Sequence, residues 1–270
     1  MTMSPTIASA LSIVLYCLSA FLIFSQLKHH LKKTTQLRWL SLTPAFIGLI
    51  FHAVALYQTI GHTDALYLGF FTAFSLITWL IAIQILLSCL FRHVETLGIV
   101  MFPIAGLASL VSSMVLVTQE QLIVVSNNAI QGHIMISVIA YSLIMLSAVQ
   151  AVLLAYQDRA IRSHNPGGFI RYLPPIHDME TLLFQFLGFG FVFLSGSLLT
   201  GFFFLEDIFA QHQAHKTLLT LIAWLILGTL LFGRLQFGWR GKTAVRWTLS
   251  TFAFLLIGFF GSKLVYEFII

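Results

Sequence analysis

The chain has 270 residues, of which 9% are charged and 59% hydrophobic, with a formal net charge of +5. A soluble domain carries roughly 25% charge, so this sequence cannot build a water-facing surface, and a soluble helical domain is excluded. The basic residues sit in short connections between apolar stretches and not along one amphipathic face. That excludes a nucleic-acid partner and gives them the task of orienting the chain in a lipid bilayer.

No Lys or Arg precedes the first apolar run, whereas Lys28, Lys32 and Lys33 follow it. This is the reverse of a secretory signal peptide, so the segment is expected to stay attached as a first membrane helix. Runs able to cross a ~30 Å hydrocarbon core fall at about 5 to 27, 37 to 58, 66 to 90, 95 to 118, 128 to 156, 181 to 207, 216 to 233 and 245 to 268. They predict an all-α polytopic bundle of eight transmembrane helices, forming a single integral membrane domain over 1–270. Cys17 and Cys89 lie within apolar runs at no metal or redox spacing and are expected to pack.

The connections alternate in charge. Lys28, Lys32, Lys33 and Arg38 flank the first, Arg92 the third, Arg159, Arg162 and Arg171 the fifth, and Arg234, Arg240, Lys242 and Arg246 the seventh; Lys216 and Lys263 fall elsewhere. The even connections carry Asp64, Glu120, Glu206 and Asp207. Basic loops stay in the cytoplasm, which predicts a multi-pass protein of a bacterial inner membrane with both termini periplasmic. The long fifth connection, with Asn165-Pro166-Gly167-Gly168 and Pro174-Pro175, reads as a loop within one bundle. In the sixth span, Gly188, Gly190, Ser195, Gly196, Ser197, Thr200 and Gly201 recur at close-packing spacing, which suits helix contact or a groove for a flat ligand.

Ten histidines are many for so few charges. His29, His30, His93, His164 and His177 belong to basic connections, and His62 and His212 to outer ones. His52, His133 and His215 differ, because the topology puts them at similar depth: His52 about 9 Å and His133 about 8 Å below the outer face, with His215 at that face. All three are therefore candidates to line one outward-facing cavity. His133, Ser137 and Tyr141 fall at i, i+4 and i+8, a polar stripe that should face protein or a cavity and not lipid. Three chemistries fit such a cluster. Zinc would want a further carboxylate, with Glu206 and Asp207 near but in no recognised spacing. A proton-coupled transporter or a scaffold would use the histidines as carriers or packing groups. Haem needs one or two imidazoles, an apolar wall and a cation for its propionates, for which Lys216 stands beside His215.

No phosphate-binding loop, dinucleotide fingerprint or hydrolase elbow stands in a suitable context. Gly132-His133-Ile134 through Ser142, Ala148-Val149-Gln150-Ala151 and Tyr156 resemble the helix of the cytochrome c assembly superfamily in which a His begins a span. Leu173-Pro174-Pro175, Met179-Glu180, Gly188-Phe189 and Leu199-Thr200-Gly201 resemble its cytoplasmic loop and glycine-rich span. Leu221-Ile222-Ala223-Trp224-Leu225, Gly228, Arg234 and Gly238-Trp239-Arg240-Gly241 resemble its late span and basic loop. Ala214-His215-Lys216-Thr217 is similar to the YpjD-type inner-membrane branch. The likeness covers most of residues 130 to 262 and is taken to extend over about 40 to 265.

The resemblance implies a protein that handles haem (haem b) at the outer membrane face or serves cytochrome c maturation, with apocytochrome or other maturation proteins as partners. By that likeness His133 is an external axial ligand, with His215 opposite it as the second ligand to haem iron and His52 as a third candidate. Lys216 pairs with a propionate, and Ser137, Tyr141 and Trp224 form walls. The chain departs from the family in three places, one being that the late external His of the synthetase branch has no match. Gln211-His212-Gln213-Ala214-His215 replaces the tryptophan-rich segment of the synthetase and exporter branches, and Phe232 stands where the synthetase branch has a His before its Arg, here Arg234. The expectation is therefore haem binding without enzymatic ligation of haem.

Overall fold

A computed structural model describes residues 4–28, 35–62, 65–66, 69–115, 128–163, 173–204 and 214–261. It is built of helices: α1 (Pro5–Lys28), α2 (Thr35–Ile60), α3 (Phe70–Phe91), α4 (Thr96–Met114), α5 (Asn128–Arg162), α6 (Ile176–Phe204), α7 (Ala214–Phe237) and α8 (Lys242–Leu256), the last continued by a π turn, Ile257–Gly261. The exception is a two-residue antiparallel pair, β1 (Gly61–His62) with β2 (Ala65–Leu66), which registers Gly61 on Leu66 and His62 on Ala65. The helical class is the one expected from the sequence.

Among the described residues seven helices, α1 to α7, are long and apolar enough to cross a membrane. α8 has 15 residues, and the part of the eighth expected span beyond Gly261 lies outside the described residues. So do His29, His30, Lys32, Lys33, Asp64, Glu120, His164, the Asn165–Gly168 run, Arg171, Glu206, Asp207, His212 and Lys263, and the side chain of His62. α5 runs past its apolar stretch to Arg162, where Asp158 and Arg162 pair at i, i+4 with an O···N distance of 2.9 Å. α6 begins directly after Pro174-Pro175, earlier than hydropathy suggests. Its first turn carries Asp178, an acidic residue at the positive end of the helix dipole.

The chain forms two compact units, Met1–Ser126 and Asn127–Ile270. In the first, α1 packs on α2 and α4, and α3 packs on the same two helices. Close approach depends on glycine: a Cβ at Gly106 would lie 2.7 Å from the Ile13 Cα, and one at Gly48 would lie 3.2 Å from the Leu15 Cβ. Near these contacts Ser9, Ser12, Tyr16, His52, Thr72, Ser75, Ser109 and Ser112 form a buried polar layer drawn from all four helices. Ser109 Oγ donates to Ser9 Oγ, and Ser112 Oγ to Thr72 Oγ1, both at 3.2 Å. At one end of this bundle Arg38 pairs with Glu95 and donates to the carbonyls of Cys89 and Arg92. It thereby places a cation on the C-terminus of α3.

In the second unit α5 packs on α6 and α8, α6 on α7, and α7 on α8. Ile144, Leu154, Leu183, Leu187, Leu227 and Leu230 lie in its core. Gly190 admits α5, since a Cβ there would sit 3.0 Å from Ile144 Cγ1. The long fifth connection thus joins two packed helices inside this unit.

The glycine contacts yield a prediction. Gly106→Ala must displace α1 and should destabilise the detergent-purified protein by about 1–3 kcal/mol. Gly188→Ala meets nothing within 4 Å and should change stability by less than about 1 kcal/mol, in either direction. Equal shifts in thermal unfolding of the two variants would show that the α1–α4 approach does not depend on Gly106.

Candidate functional site

The polar stripe of α5 meets hydroxyls on two neighbouring helices. His133 Nδ1 is 3.0 Å from Thr200 Oγ1 on α6. Ser137 Oγ donates to the His133 carbonyl at 2.6 Å and lies 2.7 Å from Ser197 Oγ, also on α6. Tyr141 OH lies 3.5 Å from Thr220 Oγ1 on α7, and its ring stands 5.1 Å from that of Phe259. All three stripe residues are partly buried. The spacing of four places them on one face of α5, and that face is turned towards α6 and α7.

The groups around His133 favour one of its tautomers. Thr200 Oγ1 lies 2.8 Å from the Gly196 carbonyl and 3.1 Å from that of Ser197. A hydroxyl has one hydrogen, and here it goes to the carbonyls of its own helix. With its hydrogen on those carbonyls the Thr200 oxygen can accept from Nδ1–H, and the Ser197 backbone is a further hydrogen-bond partner of the His133 ring. In the neutral imidazole the other nitrogen, Nε2, then carries a lone pair. A ring held through Nδ1–H with Nε2 open is the arrangement in which histidine serves as a metal ligand.

α7 supplies the other candidates. His215 is exposed in the first turn, and Lys216 beside it is half-buried with no ion pair among the described residues. Tyr141 and Thr220 mark a common level on α5 and α7. Counting back from it at 1.5 Å per residue puts His133 about 12 Å and His215 about 8 Å towards the same end of this bundle. Trp224 stacks on Phe191 at 5.4 Å and donates its indole N–H to Ser195 Oγ at 2.8 Å, so its ring is fixed between α6 and α7. His133, Ser137, Tyr141, His215, Lys216 and Trp224 all belong to this second unit.

His52 does not share that unit. It sits in the first bundle, fully enclosed, with Nε2 2.9 Å from Ser75 Oγ and its ring edge-on to Tyr16 at 6.0 Å. His93 and His177 are exposed, and His93 Nδ1 stands 3.4 Å from Glu95. Among the described residues no three His, Cys, Asp or Glu side chains converge on a metal-ion position. Sequence reading took Ser197 and Thr200 as small packing residues and missed their part in orienting the α5 stripe. Their i, i+3 spacing was the available signal, since it puts both hydroxyls on one face of α6.

These features define a polytopic helical membrane protein whose second bundle presents an oriented histidine beside a polar seam. The sequence model described as Cytochrome C assembly protein matches residues 39–270, across both bundles, and the chain belongs to that family. It is similar to the inner membrane protein YpjD of Escherichia coli (strain K12), with 29% identity over 137 residues, 51% of this chain and 52% of that protein. An uncharacterized 28.8 kDa protein in a nifR3-like 5' region of Azospirillum brasilense is 33% identical over 135 residues, 49% of this chain and 50% of that protein. The cytochrome c biogenesis protein CcsA of Chlamydomonas reinhardtii is 23% identical over 51% of this chain and 40% of its own length. The matched region thus spans about half or less of these curated relatives. No solved structure matches the chain. With seven apolar helices of spanning length and this kinship, the chain is a multi-pass inner-membrane protein.

The assignment of the His133 tautomer is open to a direct check. In the protein carrying ring-15N-labelled histidine, His133 should give the spectrum of an Nδ1–H imidazole. Thr200→Val should abolish that preference, whereas a wild-type Nε2–H signal would refute the bond direction.

Proposed function

We propose that this protein binds haem at the end of the second bundle that carries His133 and His215, and that it handles haem in cytochrome c maturation. The observation that carries the reading is the 3.0 Å contact of His133 Nδ1 with Thr200 Oγ1, which in the Nδ1–H tautomer would leave Nε2 available to iron. When bound, haem supplies an iron that accepts one or two imidazole nitrogens. The donor set fits it: an oriented imidazole, a second imidazole on α7 towards the same end, and a cation beside the second.

In this reading His133 and His215 would hold the iron, and Lys216 would neutralise a propionate. Ser137 and Tyr141 fix the α5 face, and Trp224, locked by Ser195 and Phe191, is an aromatic wall. His52 plays no part, because its Nε2 is committed to Ser75 inside the other bundle. Membership of the cytochrome c assembly family and the likeness to a cytochrome c biogenesis protein support haem or an apocytochrome as the cargo. The alternation of basic connections supports a periplasmic position for this end of the bundle and for both termini.

Visible spectroscopy of protein purified from haem-replete membranes tests this reading. The wild type should show a Soret band. His133→Ala should lose most of it, and His215→Ala should shift its position as one axial ligand is replaced. A wild-type protein without the band, or one whose band survives His133→Ala combined with His215→Ala, would sink the proposal.

A further inference from the structure

The other end of the second bundle carries a cavity that the haem site does not use. It measures about 440 Å³ and lies between the C-terminal part of α5 and the N-termini of α6 and α8. Its floor is apolar, with Leu154, Ile176 and Val245, and its rim is charged. Four cations, Arg159, Arg162, Lys242 and Arg246, face two carboxylates, Asp158 and Glu180.

Both carboxylates are already engaged. Asp158 takes the guanidinium of Arg162 through both of its oxygens, at 3.0 and 2.9 Å. Glu180 is buried and accepts the backbone N–H of Gly241 at 2.7 Å. Arg159, Lys242 and Arg246 are left with no ion pair among the described residues. Two of the three sit in the opening turns of α8, whose first turn carries no acidic residue. The Glu180 carboxylate at Gly241 already faces the positive end of the α8 dipole, so the three cations, and not the helix end, are what a further anion would meet.

The loop before α8 holds this arrangement in place. Gly238 and Gly241 adopt positive φ values of 65° and 58°, and Trp239 folds back so that its N–H donates to the Gly233 carbonyl at 3.2 Å. The Trp239 ring lies 5.4 Å from that of Trp247, and Arg234 donates to the Trp239 carbonyl at 3.2 Å. Glu180 ties the loop to α6 through Gly241. The start of α8, with Lys242 and Arg246, is thus fixed against the end of α5, with Arg159.

We infer that this cavity binds a phosphate-bearing anion, clasped by Arg159, Lys242 and Arg246 at the N-terminus of α8. A phospholipid headgroup and a free polyphosphate share that chemistry, since a basic pocket between membrane helices pairs with the phosphate oxygens of either source. The apolar floor would accept the glycerol portion of a lipid.

Thermal unfolding of the full-length protein in a neutral detergent, titrated with cardiolipin in one arm and inorganic pyrophosphate in the other, tests the site. At least one probe should raise the melting temperature of the wild type saturably. The arm that responds identifies the source as lipid or free phosphate. In the triple variant Arg159→Gln, Lys242→Gln, Arg246→Gln, the concentration required should rise about a hundredfold. Lys28→Gln, which removes an exposed cation of the first bundle, should titrate as the wild type does. Should the triple variant fail to fold, Arg246→Gln alone must still weaken the response. No response of the wild type to either probe, or the same titration in the wild type and the Arg159, Lys242 and Arg246 variants, overturns the inference.

Discussion

Inside hydrocarbon a polar side chain has no water to turn to, so a hydroxyl, imidazole or indole N–H gains from any partner the protein offers. This constraint organises the second bundle. Thr200, Ser195 and Thr220 each direct their one hydrogen to a carbonyl of their own helix, at 2.8 Å in each case. The Ser195 oxygen is then the acceptor of the Trp224 indole N–H, while those of Thr200 and Thr220 lie 3.0 Å from His133 Nδ1 and 3.5 Å from Tyr141 OH on neighbouring helices. Single interhelical bonds of this kind contribute only about 0.6 kcal/mol on average. Their effect is on direction more than on stability, and direction is what a ligating histidine requires.

The two bundles use polar residues differently. In the first, eight buried polar side chains meet where α1, α2, α3 and α4 approach most closely, and Gly106 lets Ile13 close the gap. His52 sits in that layer with no exposure, so its chemistry is confined to its neighbours. In the second bundle the histidine is only half-buried and the seam runs to the end of the bundle, where α7 begins with His215 and Lys216. A large planar ligand needs such an edge. It cannot enter a layer closed by backbone contact.

Apolar length and charge made the helices legible, because crossing a hydrocarbon core demands about 20 residues of low polarity whatever the fold. Their ends were less so. α5 continues through Gln157, Asp158 and Arg159 as a polar helix held by local pairs, and α6 starts at Ile176, in segments hydropathy assigns to a loop. The stripe of His133, Ser137 and Tyr141 could be read from its spacing alone. Its partners could not, since Thr200 and Ser197 meet it only through the packing register of α5 on α6, which no local pattern encodes. Depth likewise matched His52 to His133, but depth says nothing of the direction in which a helix face points. The break after Ser126 was also hidden, because it falls in a connection of ordinary composition while the proline-rich one joins two packed helices.

The basic end of the second bundle shows why charge in a membrane protein has to be read twice. Positive residues near the ends of spans orient a chain during insertion, and for that purpose their number in a connection matters while their mutual placement does not. Arg159, Lys242 and Arg246 satisfy the count, yet their surroundings go further. Two glycines in left-handed conformations, a tryptophan folded onto Gly233 and a buried carboxylate holding Gly241 all fix where α8 begins. Orientation during insertion requires none of this. A buried Glu180 carries a desolvation cost that its bond to a backbone amide only partly offsets. Nearby cations lower that cost, and Glu180 in turn reduces the repulsion among them. The loop and the cations therefore stabilise one another as a preformed, positively charged recess whose geometry exceeds what topology alone demands.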